Sequence, residues 1–195
     1  MHRLLLIIAC AFALAGCVPT YTLVKPERVP VAKGAMKVQP SIAWNRSPRT
    51  VYDIAKEENW TQNGPLLDTI TFMGALNDGE AIARQRTKDE RQVPVFRNNM
   101  TPQDLVSMIE SYYRIRAGAT IFETVNVAPT RFLGQQAIEF DFNYVGGDEV
   151  KRRGRSLLAI IDSKLYFISL EAAATHYFEA ALPEFQRIAQ SAERG

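Results

Sequence analysis

Residues 136–145 alternate without interruption: Ile138, Phe140, Phe142 and Tyr144 share one parity, and Glu139, Asp141 and Asn143 share the other. Successive side chains of an extended chain point to opposite faces, so this is a strand with an apolar and a polar face. Gly146-Gly147-Asp148 turns the chain, residues 149–161 return, and Asp162-Ser163-Lys164 turns it again. Residues 165–173 then form a last strand with Tyr166, Ile168 and Leu170 on one face. Three strands joined by short turns make an antiparallel meander, and any fold proposed for the chain must contain it.

Two helices are expected around this meander. Thr101-Pro102-Gln103-Asp104 is a helix start: Thr101 caps, Pro102 suits the first helical position, and Asp104 stands where a capping-box acid belongs. Leu105, Met108, Ile109 and Tyr112 follow at helical spacing, and Gly118 is a natural stop. A second helix is expected over about Thr175–Ala192, with Phe178, Leu182, Phe185, Ile188 and Ala189 as its stripe and Pro183 as a point of division.

Upstream, residues 36–44 read as a first strand bent at Pro40, with Val38, Ile42 and Trp44 as apolar positions. Residues 58–62 and 67–76 read as two more, closed by Asn63-Gly64-Pro65 and Asn77-Asp78-Gly79. The charged segment 80–92 reads as a solvated loop or frayed helix, residues 119–127 as a strand and residues 129–134 as a loop. The expected class is therefore α+β: a mainly antiparallel sheet with a C-terminal meander, packed by a middle helix and a C-terminal helix. That order over about residues 36–192 resembles the Mog1/PsbP-like sandwich. Trp60-Thr61-Gln62-Asn63-Gly64-Pro65, Phe132-Leu133-Gly134, Arg153-Gly154 and Ile161-Asp162-Ser163-Lys164-Leu165-Tyr166 resemble a group of uncharacterised proteobacterial lipoproteins. That group implies no catalytic residue.

The N-terminus addresses the chain to a membrane. Met1-His2-Arg3 precedes an uncharged apolar run from Leu4 to Leu14, closed by Ala15 and Gly16. This is the order of a secretory signal, and the run falls short of the roughly 20 residues that span a bilayer. Leu14-Ala15-Gly16-Cys17 resembles the lipobox of bacterial lipoproteins. The resemblance implies cleavage between Gly16 and Cys17, a diacylglyceryl group on the Cys17 thiol and an acylated amino group. Two or three acyl chains hold a soluble domain at a membrane, because each buried methylene adds roughly 0.8 kcal/mol. Val18 stands where Asp favours the inner membrane in enteric-type lipoproteins, so the resemblance implies the inner leaflet of the outer membrane, facing the periplasm. The expected layout is a signal peptide over 1–16, a lipidated tether over 17–35 and one α+β domain over 36–195. Pro19, Pro26 and Pro30 suggest a semi-rigid tether that reaches about 60 Å when extended; a β-arm built on Tyr21-Thr22-Leu23-Val24 is the alternative.

Composition narrows the chemistry. Loss of Arg3 with the signal brings the formal charge from +2 to near +1, so no nucleic-acid partner is expected. Cys10 leaves with the signal and Cys17 carries lipid, so no disulfide, thiol nucleophile or Cys-based metal site is expected. His176 is the one histidine of the mature chain, at the start of the last helix. Glu139 and Asp141 are two apart on one strand, which suits paired acid–base work or the polar face of a half-buried strand. Lys151, Arg153 and Arg155 project together from the basic run 151–155, as a patch for anions or a partner or as cross-strand partners of Glu139 and Asp141. No phosphate loop, nucleophile elbow or zinc-helix motif occurs, so neither metal nor cofactor is expected. The function these features imply is a non-enzymatic binding or accessory domain, held at the envelope membrane by its lipid, with an envelope protein or lipid as partner. A lipid- or small-ligand-binding module is the alternative, and a hydrolase-type enzyme built on His176 is the third.

Overall fold

The computed structural model describes residues 20–51, 54–85 and 92–195. Eleven strands and two helices follow in order among these residues. They are β1 (Thr22–Val24), β2 (Val29–Val31), β3 (Met36–Val38), β4 (Trp44–Arg46), β5 (Glu57–Thr61), β6 (Asp68–Asn77), α1 (Pro102–Arg116), β7 (Ile121–Phe132), β8 (Gln135–Val145), β9 (Lys151–Ile161), β10 (Lys164–Ala173), α2 (Tyr177–Gln190) and β11 (Glu193–Arg194). Eight strands form one antiparallel sheet in the order β1-β4-β5-β6-β10-β9-β8-β7, and β11-β3-β2 form a small second sheet. The fold is α+β, as expected. The meander starts one strand earlier than its alternation shows: α1 carries the chain to the far edge at β7, and β8, β9 and β10 fold back until β10 pairs with β6.

The sheet is buried on both faces. On one face α1 lays Leu105, Met108, Ile109, Tyr112 and Tyr113 against Phe140, Phe142, Tyr144, Leu158 and Phe167. On the other, Phe178, Phe185 and Ile188 of α2 pack with Trp44, Trp60, Phe72, Leu157, Ile168 and Leu170. The central strands therefore carry apolar residues at both parities, Leu157 and Leu158 on β9 and Phe167 and Ile168 on β10, each facing a different core.

The capping box of α1 forms as expected: Thr101 Oγ1 accepts from the Asp104 N–H at 3.3 Å, and the Thr101 N–H donates to Asp104 Oδ2 at 2.8 Å. The backbone N–H and hydroxyl of Thr101 both hold the Asp104 carboxyl below its usual range. A depressed acid contributes stability above its unfolded pKa and loses it as pH falls through the folded value. Thr101→Ala removes the cap and is expected to lower stability at neutral pH, a difference that narrows below about pH 4. Urea titrations of both proteins at several pH values check this.

Five sequence expectations change. Residues 20–35 are part of the fold and not a tether, so the folded domain begins well before residue 36. β1 pairs with β4, β2 pairs with β3, and Val24, Val31 and Ala32 are buried. What holds them is distant in sequence: Glu58 Oε2 accepts the Ala32 N–H at 3.2 Å, and Arg46 donates to the Pro30 carbonyl at 3.1 Å. The single strand over 36–44 is two strands in two sheets, separated beyond Pro40, with Ile42 left exposed. The loop over 129–134 is mostly strand, because β7 is a sheet edge where Pro129 leaves no neighbour without a donor. Pro183 does not divide α2, whose buried stripe runs past it from Phe178 to Ala189. Segment 80–92 is only partly a solvated loop: Ile82, Ala83 and Val93 are buried against the α1 core and Ala81 bridges Val95, while residues 86–91 lie outside the described residues.

Candidate functional site

Strand parity collects polar side chains under α1. Glu57 and Asn59 on β5, Thr69 and Thr71 on β6, Ser169 and Glu171 on β10, and Arg152 and Ser156 on β9 all lie on the α1 face, as the alternation of each strand dictates. Two hydrogen-bonded groups form among them. Thr71 donates to Asn59 Oδ1 at 2.8 Å, and Asn59 Nδ2 donates to Glu57 Oε1 at 2.6 Å. The hydroxyl of Ser169 lies 2.8 Å from that of Tyr113 and 2.7 Å from that of Ser156. Arg116, on the last turn of α1, pairs with Glu57.

Beside these groups opens a cavity of about 450 Å³. Its wall includes Tyr21 from the N-terminal arm, Leu66 before β6, Arg116 above, Tyr144, Arg152 and Glu171 from the sheet, and Asp148 from the turn between β8 and β9. Gly154 sets the packing of the sheet beside it. It faces Glu171 on β10 and Phe142 on β8, and its missing side chain lets the Phe142 ring lie over the strand. Beside that ring the Tyr144 hydroxyl crosses above β9 to donate to Glu171. Arg152 grips Asp148 with two parallel bonds of 2.8 and 2.6 Å and donates to the Leu66 carbonyl at 3.2 Å. Its guanidinium also lies 5.8 Å from the centre of the Tyr144 ring.

The electrostatics follow from this packing. Burial raises the Glu171 carboxyl above the ordinary range, and the Tyr144 hydrogen bond and the two arginines offset this only in part. Burial and then the Glu171 charge push the Tyr144 phenol up, so it stays protonated and donates. The Arg152 hydrogen bonds hold the Asp148 carboxyl well below the usual carboxylate range.

The residues singled out from sequence fall elsewhere. Gly16 and Cys17 lie outside the described residues. The basic run 151–155 splits across the sheet, with Arg152 turned into the cavity. Arg155 is held by Asp141 at 2.6 Å and by Glu139 at 3.8 Å, so the two carboxylates are its cross-strand partners. Arg153 pairs with Glu179 and lies 4.5 Å from the centre of the Phe178 ring, and Lys151 is exposed at the strand end. His176 precedes α2 with its ring 5.4 Å from that of Tyr177, and it does not line the cavity. Among the described residues no group of His, Cys, Asp or Glu is arranged to hold a metal ion. Sequence reading missed Glu171, Tyr144 and Arg116. The signal that marks the first is a carboxylate at an inward position of an apolar strand, within Ile168-Ser169-Leu170-Glu171-Ala172.

No protein-family model matches the chain, and no curated protein matches it. Among solved structures it is similar to CyanoP, the cyanobacterial PsbP of Synechocystis sp. PCC 6803, with a TM-score of 0.57 over 93% of this chain and 97% of that one at 14% identity. Mog1p, the Ran-binding protein of Saccharomyces cerevisiae, aligns with a TM-score of 0.47 at 9% identity, covering 91% of this chain and 96% of its own. LpqN, involved in cell envelope biogenesis of Mycobacterium tuberculosis, aligns with a TM-score of 0.36 at 10% identity, covering 92% of this chain and 86% of its own. The likeness to CyanoP is one of fold, and it gives this chain the PsbP-like α+β sandwich that its element order resembles.

Proposed function

We propose that the chain is an envelope lipoprotein, anchored through lipid on Cys17, whose α+β domain is a non-enzymatic binding or accessory module on the periplasmic side. One observation carries this reading: the folded sheet begins almost at the anchor. Only Val18, Pro19, Thr20 and Tyr21 separate Cys17 from β1, and Tyr21 already lines the cavity. An extended chain covers about 3.3–3.6 Å per residue, so Thr22 lies within roughly 18 Å of the lipidated residue. The domain and its cavity would thus be held against the bilayer surface, close to whatever that surface presents. Among the described residues no helix is long and apolar enough to cross a membrane.

Partner binding through this membrane-facing end fits a module that works by contact. The enzyme reading needs His176 at a reaction centre, and its place at the head of α2, outside the cavity wall, lends it no support. Fractionation tests the anchor. The native protein is expected to sediment with the outer membrane on a density gradient and to resist a high-salt wash. The same domain, exported behind a signal cleaved just ahead of Val18 and so lacking Cys17, is expected in the soluble periplasmic fraction. A Cys17-free domain that stays with the membrane would overturn the reading.

A further inference from the structure

We propose that the cavity beneath the C-terminal end of α1 binds a primary ammonium group, with the Glu171 carboxylate as its counter-ion. The charges around the cavity lead to this occupant. Arg152 is matched by the two-pronged grip of Asp148, and Arg116 is matched by Glu57. Glu171 has one hydrogen-bond donor, the Tyr144 hydroxyl, and no ion-pair partner among the described residues. Among the described residues one carboxylate is thus left without an ion pair at the wall of a chamber large enough for a small ligand. A buried charge that the two nearby arginines compensate only in part is costly, and a cation beside it offsets that cost. The raised carboxyl range of Glu171 has the same origin, the burial of its charge.

The surroundings select among cations. Tyr144 donates its proton to Glu171, so its oxygen lone pairs remain as a second acceptor beside the carboxylate. Two adjacent oxygen acceptors suit an ammonium that carries N–H donors. Pro65, Leu66 and Val51 line the cavity with apolar surface suited to a short methylene stem. An anion would instead have to break the Arg152–Asp148 pair. The ammonium has two possible sources, a free amine or the ethanolamine headgroup of a membrane lipid. The second source rests on the anchored orientation proposed above, and the first does not.

The test uses the full chain purified in a non-ionic detergent and titrated calorimetrically with ethanolammonium chloride. Saturable binding is expected, weakened about tenfold or more in Glu171→Gln, since a charge-assisted hydrogen bond is lost. Glu171→Gln is isosteric and removes a buried charge, so it should melt no lower than the native protein, which separates lost binding from lost fold. Sodium acetate should give no saturable heat. Absence of saturable ethanolammonium binding, or equal affinity in Glu171→Gln, would overturn the proposal. Nanodiscs assign the source: if phosphatidylethanolamine discs occlude the site and phosphatidylglycerol discs leave it free for ethanolammonium, the headgroup is the occupant. Equal ethanolammonium binding in both discs makes it a free amine. A protein without lipid on Cys17 would fail the anchor reading alone, because the free-amine titration still decides the site.

Discussion

Alanine at position 154 is expected to destabilise the protein by about 2–3 kcal/mol, at the upper end of what a single added methyl group does to a packed interior. A Cβ at Gly154 would stand 2.0 Å from Cζ of Phe142, with Cε2 and Cε1 at 2.4 and 2.6 Å. The ring has nowhere to retreat. Its centre lies 4.8 Å from that of Tyr113 and 5.1 Å from that of Phe122, and the strand beneath it is central to the sheet. Shifting Phe142 also disturbs Tyr144, and with it the hydrogen bond to Glu171. A urea titration measures the cost. The double variant Gly154→Ala/Phe142→Ala should lose less than the two single losses combined, because the smaller side chain at 142 removes the clash. Strict additivity would show that the close approach does not set the packing here.

The second large effect lies on the opposite face. Trp60 is fully buried, its ring centre lies 4.7 Å from that of Phe72, and its indole N–H donates to Glu58 Oε1 at 2.8 Å. Trp60→Ala removes the packing of a large aromatic, worth about 3–5 kcal/mol, and takes one donor from a buried carboxylate. Burial already raises the Glu58 carboxyl above the usual range against the pull of Arg46, Trp60 and the Ala32 N–H. Domains of this kind are stable by only about 5–15 kcal/mol, so the variant should stand near the edge of unfolding at 37 °C. Its N-terminal arm should loosen first, because Glu58 is the residue that fixes the Ala32 N–H. Hydrogen exchange at Ala32 reads this directly: protection should fall further there than at Ile168 in the sheet centre. Trp60→Phe keeps most of the packing and should cost much less.

The parts of this fold that local pattern reveals are those whose partners are near in sequence. The alternation of β8 is clean because one of its parities faces the α1 core while Glu139, Asp141 and Asn143 on the other are half-exposed. The capping box at Thr101 and the stripe of α1 lie within single turns of helix. The N-terminal arm is not legible in the same way. Pro26, Pro30 and the charges between them describe a wet tether, and contacts to residues further along the chain, Arg46 and Glu58 among them, turn it into structure. Pro129 misleads for a related reason, since an edge strand tolerates what a central one does not, and edge position is a property of the whole sheet.

The cavity is harder still to foresee. Asn59, Tyr144, Arg152 and Glu171 come from four strands, and their convergence depends on the register by which β10 joins β6 on one side and β9 on the other. The basic run 151–155 shows the same lesson in reverse. Read along the chain it is a patch, but folded it is divided between Asp141 on one face and Asp148 on the other.

The central claim is that a folded binding domain hangs directly from lipid on Cys17, and the mass of the mature N-terminus tests it most directly. Protein extracted from membranes and digested with trypsin should yield an N-terminal peptide that begins at Cys17 and ends at Arg28, because Pro26 protects the bond after Lys25. Its mass should exceed that of the bare peptide by a thioether-linked diacylglyceryl group, with or without a further acyl chain on the amino group. A peptide that carries Cys17 as a free thiol, or a mature chain that begins at any other residue, would contradict the account.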